Sequence, residues 1–437
     1  MNKVLQLIKQ EEKRQQETLM MIPSENYTYP EVRKAVGSVL MHKYSEGYPK
    51  KRYYQGNSNM DEIEIYCQEQ VLKAFGLDSD KWHANVQALS GTPANLAVFN
   101  ALLNPGDKIM ALYLPDGGHL SHGWQYNNKK ITMTSKIYDI AYYQVDEKTG
   151  MLDYEKIKDQ ASKIKPKLVI SGGTAYPREI DYRAMSELAH GCGAYFLADI
   201  AHEAGLVVGA ANKSPFPYAD AVTMTTHKTL RGPRGAVIIS KKELGEQIDK
   251  SVFPGFQGGP HNETIAGIAI AFEKAQTKEF EEYAKNTVSN AKALVKSLSG
   301  KGYKLATDGT DKHLILIDLR NKDVNGWFAG WALEYAGIIV NRNTIPNDPS
   351  PPYYPSGLRL GTPALTARGM GNHEMELIAE WINEVIEHIG ERSIPEDKEE
   401  RIKVLREFKD EIGKEKFLAE INEEVKELCK KFPIDLS

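Results

Sequence analysis

The chain has 437 residues, 41% hydrophobic and 26% charged, with a net charge of −4, so it is neither disordered nor drawn by charge to nucleic acid or anionic membrane. No apolar run approaches the roughly 20 residues that span a bilayer, and the first residues are too polar and charged for a secretory leader. Three scattered cysteines, Cys67, Cys192 and Cys429, fit neither a zinc site nor a disulfide framework, which makes a cytoplasmic location the expectation.

Residues 2–19 read as a short polar helix. Its few apolar positions, Val4, Leu5, Ile8 and Leu19, cannot build a core, so it is expected to pack against another subunit or the main body. A loop-rich stretch over 21–60 follows, dense in tyrosine, glycine and charge. From Trp82 to Ser240, β-rich runs at 108–114, 167–171, 194–198, 219–223 and 236–240 alternate with helix-like stretches. Continuous apolar runs between helices indicate an α/β fold with a mostly parallel sheet covered on both faces. A long helical region over 262–298 leads to a smaller α+β domain with strands at 313–318 and 337–341. The last part, 395–436, reads as charged helices with one narrow apolar stripe each: Ile402, Leu405, Phe408 and Ile412, then Phe417, Ile421, Val425 and Leu428. It is expected to pack onto the small domain, with a partner-binding coiled coil as the alternative. The expected division is an N-terminal arm (1–30), a large domain (31–285) and a small domain with the helical tail (286–437).

Tyr195-Phe-Leu-Ala-Asp199-Ile-Ala-His202 ends an apolar strand in a carboxylate, and Val222-Thr-Met-Thr-Thr-His-Lys228 ends a later one in a lysine. Binding residues in such sheets gather beyond the carboxyl ends of the strands. A lysine and a carboxylate placed there suit pyridoxal phosphate chemistry: the lysine forms a Schiff base, and the aspartate keeps the pyridine nitrogen protonated. Neighbouring cations make a lysine a better nucleophile, and His227, Arg231 and Arg234 are candidates. Ser90-Gly91-Thr92-Pro93 precedes an apolar helical run, and its free backbone N–H groups suit a phosphate. Gly117-Gly118-His119-Leu-Ser-His122-Gly123 suits a flat ring with a stacked imidazole. A metal reading of this histidine pair lacks a third ligand nearby, so no metal is expected. The loop Tyr44–Gly56 concentrates proton-transfer groups, Glu46 and Tyr53 among them; a tyrosine-rich subunit contact is the alternative there. Arg359, between glycines in a strand-like run, suits either a carboxylate grip or a structural salt bridge.

Taken together, these segments resemble serine hydroxymethyltransferase, a fold-type I pyridoxal phosphate enzyme, from about Met21 to Trp381. The matching runs include Pro23-Ser24-Glu25-Asn26, the Tyr44–Gly56 loop, Gly117–Gly123, Asp199–His202, Thr225–Arg234, Phe253–Pro260, Asn341–Asp348 and Ser356–Pro363. The resemblance implies a large domain with a mostly parallel seven-stranded sheet and a smaller C-terminal α+β domain. It implies that Lys228 forms the Schiff base, Asp199 partners the pyridinium and His119 stacks on the ring, with Thr225 beside the lysine. His202 and Thr174 would lie near the ring's phenolic oxygen. Ser90, Gly91 and Thr92 would hold the phosphate, His227 would contact the cofactor, and Tyr44 and Gly259 would do so from a neighbouring subunit. Ser24 and Arg359 would hold the amino-acid carboxylate. Glu46, Tyr53, Leu114, Gly118 and Asn343 would meet the folate.

The implied reaction moves a one-carbon unit from serine to tetrahydrofolate, leaving glycine, in a homodimer with shared active sites; a tetramer is the alternative assembly. Glu46 is implied as the proton-handling group. Thr92-Pro93 departs from a usual Ser-Gln pair, Thr174 from serine, and Asp116 from serine or histidine. Pro351-Pro352-Tyr353 lacks a serine that some members place beside the folate, which leaves a tetrahydromethanopterin-like carrier as an alternative. A threonine-aldolase-like enzyme and an inactive scaffold are the competing readings. The scaffold predicts damage at Lys228, Asp199, His119 or Arg359, and none is seen.

Overall fold

The apolar runs of the sequence form the middle of a seven-stranded sheet in a computed structural model that describes residues 2–436. Its strands are β1 (Trp82–Asn85), β2 (Lys108–Leu112), β3 (Asp139–Tyr143), β4 (Leu168–Ser171), β5 (Tyr195–Asp199), β6 (Ala221–Thr225) and β7 (Ala236–Lys241). They lie in the order β1-β7-β6-β5-β4-β2-β3, and only β7 runs antiparallel to its neighbours. β4 and β6 are buried at every position, as strands covered on both faces must be. The two edge strands were not expected. β1 (Trp-His-Ala-Asn) is half polar, and β3 (Asp-Ile-Ala-Tyr-Tyr) is exposed or half-buried for four residues, so neither reads as an apolar run.

The chain divides into two compact units, Thr28–Lys285 and Met1–Tyr27 with Asn286–Ser437. The N-terminal stretch expected as an arm therefore belongs with the C-terminal part. In the larger unit, the helix Gly91–Leu102 buries Ala94, Ala97, Val98 and Phe99 against Ile109, Ile170, Leu197 and Ala221 of the sheet. That packing aims the start of the helix, and Asn95 one turn in, at the carboxyl ends of β5 and β6.

The smaller unit holds an antiparallel sheet of β8 (Lys304–Leu305), β9 (Leu314–Asp318), β10 (Asn341–Asn343) and β11 (Gly357–Gly361), in the order β8-β9-β11-β10. The run expected as one strand over 337–341 is divided: Ile338–Ile339 pairs with Leu19–Met20, and β10 starts at Asn341. The helical region over 262–298 is likewise two helices, Asn262–Ala275 and Lys278–Gly300. Thr277 separates them, its hydroxyl donating to the Lys274 carbonyl and accepting the Phe280 amide. The tail helices Lys398–Ile412 and Lys416–Lys431 bury Phe408, Ile412, Leu418, Ile421, Val425 and Leu428 in the small unit's core; Ile402 stays exposed. The helix Lys3–Glu17 buries no residue, leaving Val4, Leu5, Leu7 and Ile8 exposed. No helix among the described residues is long and apolar enough to cross a membrane.

Candidate active site

The carboxyl ends of the parallel strands bring most of the expected residues of the larger unit together. Asp199 closes β5 in register with Thr223 of β6, and Lys228 lies three residues beyond the end of β6. Both are buried, as are His202 and Thr225. Thr174 follows β4, and its amide donates to the Gly117 carbonyl at 2.6 Å, tying the turn after β4 to the one after β2. Gly173 makes that approach feasible, since a Cβ there would lie 2.4 Å from the Gly117 carbonyl oxygen, and Gly172, with φ +109°, lets the same turn pass the Asp199 carbonyl oxygen, 2.0 Å from where its Cβ would be.

Asp199 is held by three donors. The Ala201 amide reaches Oδ1 at 3.0 Å, while Asn95 Nδ2 (2.8 Å) and His122 Nε2 (3.0 Å) both reach Oδ2. Burial by itself would raise the carboxyl's pKa. Hydrogen bonds from His122 and Asn95 outweigh it, and Asp199 is held well below the usual carboxylate range. Ser121 Oγ extends the network to Asn95 Nδ2 at 2.9 Å and His119 Nδ1 at 2.7 Å, and Thr223 Oγ1 donates to Asn95 Oδ1 at 2.6 Å. Asn95, Ser121, His122 and Thr223 were not singled out as site residues from the sequence. The available signal was Asn95, a buried amide at the head of a mostly apolar helical run.

His119, His122 and Asp199 each place a ligand-type atom within 4.8 Å of the others, so the third group missing from the sequence is Asp199. Those atoms are engaged in hydrogen bonds, His122 with Asp199 and His119 with Ser121, and we assign no metal ligand among them.

One of the expected cations near Lys228 is corrected. Burial, then the charges of Arg234 and Lys228, lower the pKa of His227 to about 3, so it is a neutral imidazole. Arg231 lays its guanidinium over the Tyr29 ring at 4.3 Å. Gly91 opens its helix against β6, where a Cβ would lie 2.7 Å from Thr225 Cγ2. The Ser90 side chain makes no capping bond to this helix, and the Thr225 hydroxyl donates to the Ala201 carbonyl at 3.2 Å.

Tyr44, Glu46 and Gly259 form a second cluster. A Cβ at Gly259 would lie 3.1 Å from Tyr44 and 3.6 Å from Glu46. The loop that carries them is pinned by Arg52, which bonds Asp61 at 2.8 Å, the buried Glu64 at 2.6 Å and the carbonyls of Ser45 and Gly47. Tyr44 and Tyr53 are largely exposed. Leu114 and Gly118 lie in the turn after β2, where Gly118 backs onto the Leu112 carbonyl.

In the smaller unit Arg359 sits buried on β11 opposite Asn341, whose side-chain oxygen accepts from its Nε at 3.0 Å. Burial lowers its pKa to about 10. Pro23, next to Ser24, packs against Gly361, two residues past this arginine. Asn343 ends β10, with its side-chain amide on the Thr344 carbonyl at 2.7 Å.

The serine hydroxymethyltransferase family model matches residues 1–382. The chain belongs to the serine hydroxymethyltransferase family. It is 46% identical to a serine hydroxymethyltransferase of Acidothermus cellulolyticus, over 98% of this chain and 95% of that one. It is 43% identical to the cytosolic serine hydroxymethyltransferase of Candida albicans (98% and 94% covered) and 43% identical to the mitochondrial one of Schizosaccharomyces pombe (97% and 90%).

The family depends on pyridoxal phosphate and takes tetrahydrofolate as cosubstrate, and the residues present fit the cofactor. A carboxylate held ionised in a buried setting matches a protonated ring nitrogen, and a buried lysine follows the adjacent strand. The start of the helix Gly91–Leu102, uncapped by Ser90, offers backbone N–H groups to a phosphate.

Proposed function

We propose that this chain moves the hydroxymethyl carbon of serine to tetrahydrofolate, leaving glycine, as a pyridoxal phosphate-dependent transferase. The observation that carries the reading is Asp199, an ionised carboxylate held by three donors at the end of β5, beside the strand that delivers Lys228. When bound, the cofactor supplies an electron-accepting ring. Asp199 keeps a proton on the ring nitrogen, because an anion opposite that nitrogen favours the charged form. Lys228 is the attachment point. Ser90, Gly91 and Thr92 hold the phosphate, His227 contacts the cofactor, Tyr44 and Gly259 reach it from a neighbouring chain, and His202 and Thr174 hold the phenolic oxygen. His119 covers the ring face, and Thr225 packs beside Gly91 at the phosphate end.

Arg359 and Ser24 hold the serine carboxylate. An arginine whose pKa burial has lowered gains most from an arriving anion. Glu46 handles the proton of the departing hydroxymethyl group. Glu46, Tyr53, Leu114, Gly118 and Asn343 meet the folate.

Tyr44 and Tyr53 are 61% and 70% exposed, and the first helix keeps its apolar side chains in the open. Those surfaces support a homodimer in which one chain lends Tyr44, Glu46 and Gly259 to its neighbour's site. Relatives named cytosolic support a cytoplasmic location. Serine cleavage measured with and without tetrahydrofolate tests the reading. Cleavage that requires the folate is the expected result, whereas equal cleavage without it would make the chain aldolase-like.

A further inference from the structure

The hydrogen bonds around Asp199 leave little freedom in where each proton sits. An ionised carboxylate only accepts, so Asn95 must turn its Nδ2 towards Asp199 Oδ2, 2.8 Å away. In that orientation the Thr223 hydroxyl donates to Asn95 Oδ1 at 2.6 Å. The second hydrogen of Asn95 Nδ2 then goes to Ser121 Oγ at 2.9 Å. The Ser121 backbone amide, which can only donate, reaches His119 Nδ1 at 3.2 Å, so that nitrogen carries no hydrogen and the Ser121 hydroxyl donates to it at 2.7 Å.

We infer that Thr223, Asn95 and Ser121 are positioning residues that hold His119 as a neutral imidazole with its proton on Nε2. An imidazolium, or the tautomer protonated on Nδ1, would set a hydrogen against the Ser121 backbone N–H. His119 Nδ1 is an acceptor for its own turn, and its outer nitrogen is an N–H. In the proposed reaction His119 is therefore a hydrogen-bond donor towards a carboxylate or hydroxyl on the exposed ring face. It is no general base there, which leaves proton removal to another group. His122 is fixed in the same way. Its Nε2 faces the acceptor Asp199 at 3.0 Å and must carry the proton, while its buried Nδ1 has no hydrogen-bond partner.

The donor role rests on the proposed stacking of His119 over the cofactor, but the tautomer does not. Nitrogen-15 spectra of histidine-labelled holoenzyme near neutral pH read it without turnover, with His119 assigned from the signals missing in His119→Gln. The expected pattern is a protonated Nε2 and an unprotonated, hydrogen-bonded Nδ1. Ser121→Ala should move the Nδ1 resonance towards that of a free acceptor, and Ser121→Thr, which keeps the hydroxyl, should restore it. A wild-type His119 protonated on Nδ1, or on both nitrogens, would overturn the inference. So would an unmoved Nδ1 resonance in a folded Ser121→Ala. Should that variant not fold, the wild-type spectrum decides alone. Absence of folate-dependent serine cleavage would defeat the proposed reaction and leave the tautomer assignment standing.

Discussion

Asp116 lies buried in the turn after β2, with one carboxylate oxygen accepting the Val145 amide at 3.2 Å. Burial pushes its pKa up to about 6, against the hydrogen bonds from Val145 and Gln144. The folded chain therefore binds this proton at a higher pH than the unfolded chain. Its favourable contribution is complete below about pH 4 and is lost as pH rises to about 6, a span of roughly 3 kcal/mol. Asp116→Asn should flatten that slope and raise stability at pH 7 by about 2 kcal/mol in urea denaturation. A variant less stable than the parent at pH 7 would show that the charged form is the one the fold prefers. Asp199 and Lys228 could be singled out because a carboxylate and a lysine fall together at the ends of two strands, whereas Arg359, between glycines, suited a structural salt bridge equally well. The network around Asp199 was not legible. Its bonds join residues 104 and 77 positions apart, and residue types alone do not show which pairs will meet. His227 was misjudged as a cation for a related reason, since the sequence shows an imidazole but not the burial and neighbouring charges that neutralise it.

Among the elements, the loop from Tyr44 to Gly56 depends on one buried ion pair. Arg52 and Glu64 meet at 2.6 Å with side chains only 3% and 1% exposed, and Gln87 donates to the other Glu64 oxygen at 2.8 Å. Removing one partner strands the other charge away from water, so Arg52→Met should cost about 3–5 kcal/mol. The double variant Arg52→Met/Glu64→Met should recover part of that loss. If the double variant were the less stable of the two, the pair would not be what holds the loop. Loosening this loop should also raise the folate requirement, because Glu46 and Tyr53 travel with it. Central strands were readable because burial on both faces selects unbroken apolar runs. The edge strands β1 and β3 and the break at Thr277 were hidden, because a half-exposed strand keeps polar residues and a two-residue gap barely disturbs helical periodicity.

At the scale of the whole molecule, the motifs match the family over the larger unit and part of the smaller one, while the tail beyond residue 382 lies outside the matched stretch. Its apolar stripe was legible as packing, and Phe408 and Ile412 are buried in the small unit's core. The assembly is the larger question. If Glu46 serves a neighbouring chain, Glu46→Gln and Lys228→Ala should each lack folate-dependent serine cleavage, and refolding the two together should restore part of it. A mixed dimer would hold one site with both an intact Lys228 and an intact Glu46, which neither parent has. No recovery, with mixed dimers demonstrated, would assign Glu46 to its own chain.

The central claim is that pyridoxal phosphate is attached at Lys228, beyond the end of β6 and beside Asp199. Borohydride reduction of the holoenzyme followed by peptide mapping tests it most directly. A single labelled peptide carrying the cofactor on Lys228, absent from Lys228→Ala, is the expected result. Label on any other lysine would contradict it.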